Sequence, residues 1–320
     1  MVDLIVVGGG PSGLSCAIEA KKAGLSVIVL EKGSVVDAIR RFPLNLVWFS
    51  TPELLELGGL PFVIPSVRPT RVDTLGYYQK IVQHFALDCR CFDAVENVVP
   101  GGATLNVTTT SGKMYTGRNV VVATGYFDNP NRLNVPGESL PHVMHYYDEP
   151  FKYFGCDVVI VGGRNSAVEA ALDLFRHGAR VTVVHRGETF SPGVKYWILP
   201  DIENRVKAGS VKTEFRSTVR GIKGHSILIR TPDGEKEVPM DFTFVLIGFH
   251  PDTEHLKRFG VQIDAETLAP VFDERSFETN VPGLYVAGSI VAGKNNNKVF
   301  VENGRLHGGV IVKSILAKKG

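Results

Sequence analysis

The chain has 320 residues, of which 44% are hydrophobic and 21% charged, and a formal net charge of +2 at pH 7. That balance is ordinary for a globular protein and gives no basic excess for nucleic acid or an anionic membrane. No apolar run nears the roughly 18 residues that span a bilayer, and the start lacks a signal peptide's basic segment and cleavage site, so a cytoplasmic location is expected.

Residues 3–7 read as a short apolar strand rich in β-branched side chains, running straight into Gly8, Gly9, Gly10, Pro11, Ser12 and Gly13. Residues 14–23 follow with helical spacing and stop at Gly24; residues 26–30 are a second strand, and Glu31 stands at its end. Gly8, Gly10 and Gly13 have the G-x-G-x-x-G spacing. The first makes the turn, the second admits a pyrophosphate and the third allows close helix–strand packing. Alone the motif is weak. Here it follows a strand, opens a helix and is succeeded by an acid, so its context is met. Glu31 is expected to take ribose hydroxyls of an adenosine.

Residues 104–110 and 113–115 alternate around Ser111-Gly112 and predict a hairpin. Residues 120–125 predict a buried strand that ends in a tight turn at Gly125.

The opening layout then recurs. Residues 157–161 are a strand, Gly162, Gly163, Arg164, Asn165, Ser166 and Ala167 the turn, 168–176 a helix ended at Gly178, and 180–184 the next strand. Two copies mean two nucleotide-binding domains. In the second, Arg164 occupies the place of the second glycine and is expected to point outward and clamp a pyrophosphate. Where the first copy has Glu31, the second has His185 and Arg186, and an arginine there suits a 2′-phosphate. Hydrogen bonds to charged groups are worth roughly 1.5–3 kcal/mol, about ten- to a hundredfold in favour of NADPH over NADH.

Further on, residues 226–230 and 237–238 predict a second hairpin around the turn 231–234, and 242–248 a buried strand ending at Gly248. The tail predicts a strand at 283–288, ending in Gly288, a polar turn to Asn297 and one final helix to about Ala317. That helix would begin behind Asn295, Asn296, Asn297 and Lys298. His145, His185, His250 and His307 have no ligand spacing, so no metal is expected. The cysteines, Cys16, Cys89, Cys91 and Cys156, form no CxxC and are expected as free thiols.

With these features in hand, the whole chain resembles the low-molecular-weight thioredoxin reductases, and within them the bacillithiol-disulfide reductase branch. The stretches that carry the resemblance are 7–13, 31–33, Trp48-Phe49-Ser50, 123–128, 163–166, 196–200, 248–252 and 300–308. It implies an α/β fold of two Rossmann-like dinucleotide-binding domains, each of three ββα layers. The NADPH domain, 126–248, would be inserted into a discontinuous FAD domain, 1–125 and 249–320. FAD would then be held by Gly8, Gly10, Pro11, Ser12, Gly13, Glu31, Lys32, Phe49, Thr124, Gly125, Gly288 and Val299. NADPH would be held by Gly162, Gly163, Arg164, Asn165, Ser166, Ala167, His185 and Arg186. The final helix would direct its N-terminus at the flavin ring.

The resemblance further implies an NADPH oxidoreductase that passes a hydride to flavin N5 and electrons on to an acceptor. That acceptor is a low-molecular-weight thiol disulfide, such as bacillithiol disulfide, or a small redox protein. The assembly is expected to be a homo-oligomer. Two departures matter. The redox CxxC of thioredoxin reductases is missing, and Ser12 stands where the closer branch often has a cysteine, so no catalytic residue is assigned. A ferredoxin- or flavodoxin-NADP reductase is the alternative enzyme, and a flavin-bound redox sensor or interaction module the alternative from another class.

Overall fold

A computed structural model describes residues 1–295 and 298–318. It divides into two compact units, Met1–Asn129 with Phe249–Gly320, and Pro130–Gly248. The chain therefore leaves the first unit a little beyond Gly125 and returns directly after Gly248.

The first unit opens with β1 (Val2–Val7), α1 (Pro11–Lys22) and β2 (Val27–Leu30), the strands parallel with Leu4 opposite Val27. Helix α1 starts earlier than its apolar spacing predicts, because Pro11 sits in its first turn, where a missing N–H costs nothing. Next come α2 (Asp37–Arg40), α3 (Arg71–His84), β3 (Asp88–Arg90), β4 (Val95–Pro100), β5 (Leu105–Thr109) and β6 (Met114–Val122). A capping box between Thr70 and Asp73 fixes the start of α3.

Strand β6 corrects the sequence reading. The expected second hairpin arm and the expected buried strand are one continuous strand of 9 residues. Its start pairs antiparallel with β5, and from Gly117 onward it lies parallel to β1. A Cβ at Gly117 would stand 2.8 Å from the Ile5 side chain, so the glycine lets β6 pack against β1 there.

The second unit contains β7 (Val143–Met144), β8 (Asp157–Val161), α4 (Asn165–Arg176), β9 (Arg180–Val184), α5 (Leu199–Lys207) and β10 (Lys212–Glu214). It continues with β11 (Thr218–Ile222), β12 (Ser226–Thr231), β13 (Gly234–Pro239) and β14 (Phe242–Val245). A parallel sheet runs β10-β9-β8-β14-β7, and a separate antiparallel sheet runs β11-β12-β13. Alternation along β8 builds the layers. Val158 and Ile160 face the core shared with α4, whereas Val159 and Val161 face Ile227 and Ile229 of the small sheet.

Back in the first unit come α6 (Thr253–Arg258), β15 (Leu284–Val286), α7 (Val301–Gly304) and α8 (His307–Ala317). Strand β15 lies parallel against β6. The same alternation appears in β1: Leu4 and Val6 face the core of α1 and α8, while Ile5 and Val7 face that of β4 and β5. The single final helix expected from the sequence is two, broken at Arg305 and Leu306. Asn296 and Asn297 of the expected helix start lie outside the described residues. Among the described residues no helix is long and apolar enough to cross a membrane.

Helices α1 and α8 touch through glycine. A Cβ at Gly308 would lie 2.7 Å from the backbone of Ser15 and Cys16, whereas one at Gly309 would meet nothing within 4 Å. Gly308→Ala should therefore destabilise by about 1–3 kcal/mol through overpacking, outweighing the roughly 0.5–1 kcal/mol that alanine gains in a helix. Gly309→Ala should show the gain alone. Thermal unfolding of the two variants checks this, and equal shifts would contradict the packing.

Candidate functional site

The first glycine turn is built by three different constraints. Gly8 has φ +108°, and a Cβ there would stand 2.6 Å from the Ala123 carbonyl oxygen. At Gly13 a Cβ would stand 2.0 Å from the Gly8 carbonyl oxygen, which is how α1 reaches the end of β1. At Gly10 a Cβ would meet nothing within 4 Å. Space beside Gly10 thus opens in front of the α1 N-terminus, whose first N–H groups have no intrahelical partner and no side-chain cap. That is a cradle for a pyrophosphate, and the residues fit a dinucleotide.

Glu31 is buried and both its oxygens are held by backbone. Gly9 N–H donates to Oε2 at 2.6 Å and Gly33 N–H to Oε1 at 2.8 Å. Burial pushes its carboxyl above the ordinary value, and the two N–H bonds pull it back. Each oxygen keeps a second lone pair, so the side chain can hold the turn and still accept from a ribose. Lys32 is paired with Asp128 at 2.7 Å, and Arg41 pairs with the same carboxylate.

Sequence-distant residues converge on Ser12. A Cβ at Gly288 would lie 2.6 Å from Ser12 Oγ, and one at Gly304 would lie 2.9 Å from it and 3.4 Å from Val299. Ser12, Gly288 and Val299 are therefore neighbours, and Gly304 joins them unannounced by any spacing. Gly288 N–H donates to His307 Nδ1 at 3.1 Å, and the ring stacks on Phe277. Burial lowers the His307 pKa to about 4, so at neutral pH the ring is an uncharged acceptor. Gly125, at φ +68°, faces Ser289, with Thr124 half-buried before it. Phe49 is edge to face with Phe300, which follows Val299, and Ser50 bonds Glu302 of α7.

The second turn keeps the backbone and changes the chemistry. Gly162 has φ +149°, and its absent Cβ would meet Leu246 O at 2.5 Å and the Ala167 methyl at 2.9 Å. Ala167 serves at the last position because Gly162 leaves room for it. Arg164, the residue before α4, is extended at φ −108°, ψ −173°, so no glycine is needed there, and it is exposed. Gly163 is required by a side chain: its Cβ would stand 2.5 Å from the His185 ring. Burial, then Arg186 and Arg164, lower the His185 pKa, leaving it neutral at pH 7. Arg186 is exposed, as is Ser166 on the first turn of α4. Among the described residues neither Arg164 nor Arg186 enters an ion pair. Two unspent guanidinium groups beside a helix N-terminus fit a phosphorylated dinucleotide. The Asn165 side-chain amide donates to the Gly193 carbonyl and accepts from the Lys195 N–H.

All four cysteines are free. Burial pushes the Cys16 and Cys89 thiols up to about 12 and raises Cys91 and Cys156 as well. In each case burial favours the thiol over the nucleophilic thiolate.

Comparison with known proteins agrees with this geometry. Residues 5–288 match the pyridine nucleotide-disulphide oxidoreductase family. The chain is 43% identical to bacilliredoxin reductase Bdr of Bacillus subtilis (strain 168), over 98% of each chain. It resembles the solved bacillithiol disulfide reductase Bdr of Bacillus cereus with a TM-score of 0.97 at 42% identity, covering 99% of each chain. The enzyme of the same title from Staphylococcus aureus gives 0.96 at 40% identity, covering 100% of this chain and 99% of the other. A ferredoxin–NADP reductase of Ignicoccus hospitalis is more distant, at 28% identity over 96% of each chain. The chain belongs to the pyridine nucleotide-disulphide oxidoreductase family and is an oxidoreductase that uses FAD and NADPH.

Proposed function

We propose that this enzyme reduces the disulfide of a low-molecular-weight thiol of the bacillithiol type, holding FAD in the first unit and NADPH in the second. The observation that carries the reading is the contrast between the two turns. One has open space beside Gly10 and an acid, Glu31; the other has Arg164 and Arg186 with no acid. The first suits an adenosine ribose with free hydroxyls, the second a 2′-phosphate. FAD, when bound, supplies the hydride acceptance and the onward transfer of the electron pair. Around it the chain contributes position: Glu31 ties the turn, and His307 holds Gly288 against Ser12.

The acceptor follows from the relatives and from the thiols. Relatives covering the full chain are named for bacillithiol disulfide and for bacilliredoxin. With no CxxC and every thiol held protonated, electrons are proposed to pass from flavin to the substrate disulfide without an enzyme thiol. Steady-state NADPH oxidation with bacillithiol disulfide, set against ferredoxin, tests this. Turnover with ferredoxin alone would overturn it.

Three outcomes are expected. Gly10→Val should fold yet purify colourless, because its side chain enters the open space; full FAD absorbance in that variant would remove the first-site assignment. Arg186→Ala should shrink the preference for NADPH over NADH by about ten- to a hundredfold in flavin reduction kinetics, and an unchanged ratio would remove the 2′-phosphate assignment. A variant with all four cysteines replaced, once shown to be folded and FAD-loaded, should still bleach on mixing with NADPH. Loss of that bleaching would mean a thiol is needed.

A further inference from the structure

The loop after β9 is fastened to the second glycine turn at four points. Ser191 N–H donates to Gly163 O at 2.9 Å. Asn165 acts twice: its Nδ2 donates to Gly193 O at 3.1 Å, and its Oδ1 accepts from Lys195 N–H at 2.9 Å. The Lys195 ammonium pairs with Glu169, one helical turn along α4. Residues 187–195 form no strand or helix, so these bonds and the burial of Phe190 and Val194 in the core, rather than a ladder, order the stretch.

What the fastening presents is apolar and outward. Tyr196 is 81% exposed and Trp197 41% exposed, and the two rings sit edge to face at 4.9 Å. The Lys195 ammonium lies 5.9 Å from the Trp197 ring centroid, so Trp197 is partly covered, while the Tyr196 ring stays largely in solvent, directly after the residues that the turn holds. A flat ligand would bury them, and the ligand of a dinucleotide turn carries two flat bases.

We propose that Asn165 is a positioning residue that holds this loop so that Tyr196 and Trp197 form a preformed stacking platform for a base of the bound dinucleotide. The inference rests on the second turn being the NADPH site. Preorganised aromatic faces bind bases without paying the ordering cost at the moment of association.

The test is a double-mutant cycle on the FAD-loaded full chain, with Kd for NADP+, which binds without reducing the flavin, measured by calorimetry. Asn165→Ala and Trp197→Ala should each raise that Kd about tenfold, leaving FAD content unchanged. The double variant should be little worse than the weaker-binding single, because Asn165 acts through the platform. Trp197→Phe, which keeps a flat ring, should recover most of the affinity. Multiplying effects would mean that Asn165 contacts the nucleotide itself, and a wild-type Kd in Trp197→Ala would mean there is no platform; either overturns the proposal. Repeating the cycle with 2′,5′-ADP and with oxidised nicotinamide mononucleotide identifies the stacked base. Arg186→Ala separates the two readings. If it weakens NADP+ binding while Trp197→Ala does not, only the platform fails; if neither matters, the second-site assignment fails too.

Discussion

The approach of α1 to the end of β1 is the constraint on which the first unit depends. It exists because Gly13 has no Cβ to meet the Gly8 carbonyl, which would lie 2.0 Å away. No side-chain rearrangement relieves a clash with backbone. Once the helix stands there, its free N–H groups face the space beside Gly10, and Ser12 is brought against Gly288 and Gly304. Glu31 then bonds across from the next strand to Gly9, so turn and acid hold each other. One missing methyl group thus sets the position of helix, anion cradle and candidate flavin surroundings.

The second unit reaches the same backbone by other means. Close approach is retained by Gly162 and the small Ala167, but the glycines around it serve side chains. Gly163 accommodates His185, and Arg164 needs no glycine because its φ is negative and extended. The turn therefore supports a different charge pattern on a similar frame. A carboxylate in one copy favours neutral hydroxyls, and guanidinium groups in the other favour a dianion.

Electrostatic neutrality is a common theme of the buried groups. His307 is uncharged because burial drives its pKa to about 4, and Cys16 and Cys89 stay as thiols because burial drives theirs to about 12. Beside the Glu31 carboxylate, the groups gathered at Ser12 then present dipoles and backbone donors. Such a site leaves redox chemistry to the cofactor and contributes alignment.

By itself the sequence determined what depends on neighbours along the chain. The two βαβ turns, their glycine spacing, the acid after one and the arginine after the other are local, because each is read within a strand, a turn and the first turn of a helix. Tertiary structure decided what depends on residues far apart. Residues 113–115 and 120–125 read as separate elements, but β6 runs through both, with Gly117 leaving room for the Ile5 side chain of β1. Gly304 and His307 join Ser12 and Gly288 only when α7 and α8 fold back over α1, a meeting that no periodicity encodes. The motif places Asn165 at the start of α4 but does not say that its side-chain amide bonds a loop 28 to 30 residues later, because hydrogen bonds are chosen by proximity in space, which the spacing of a motif does not contain.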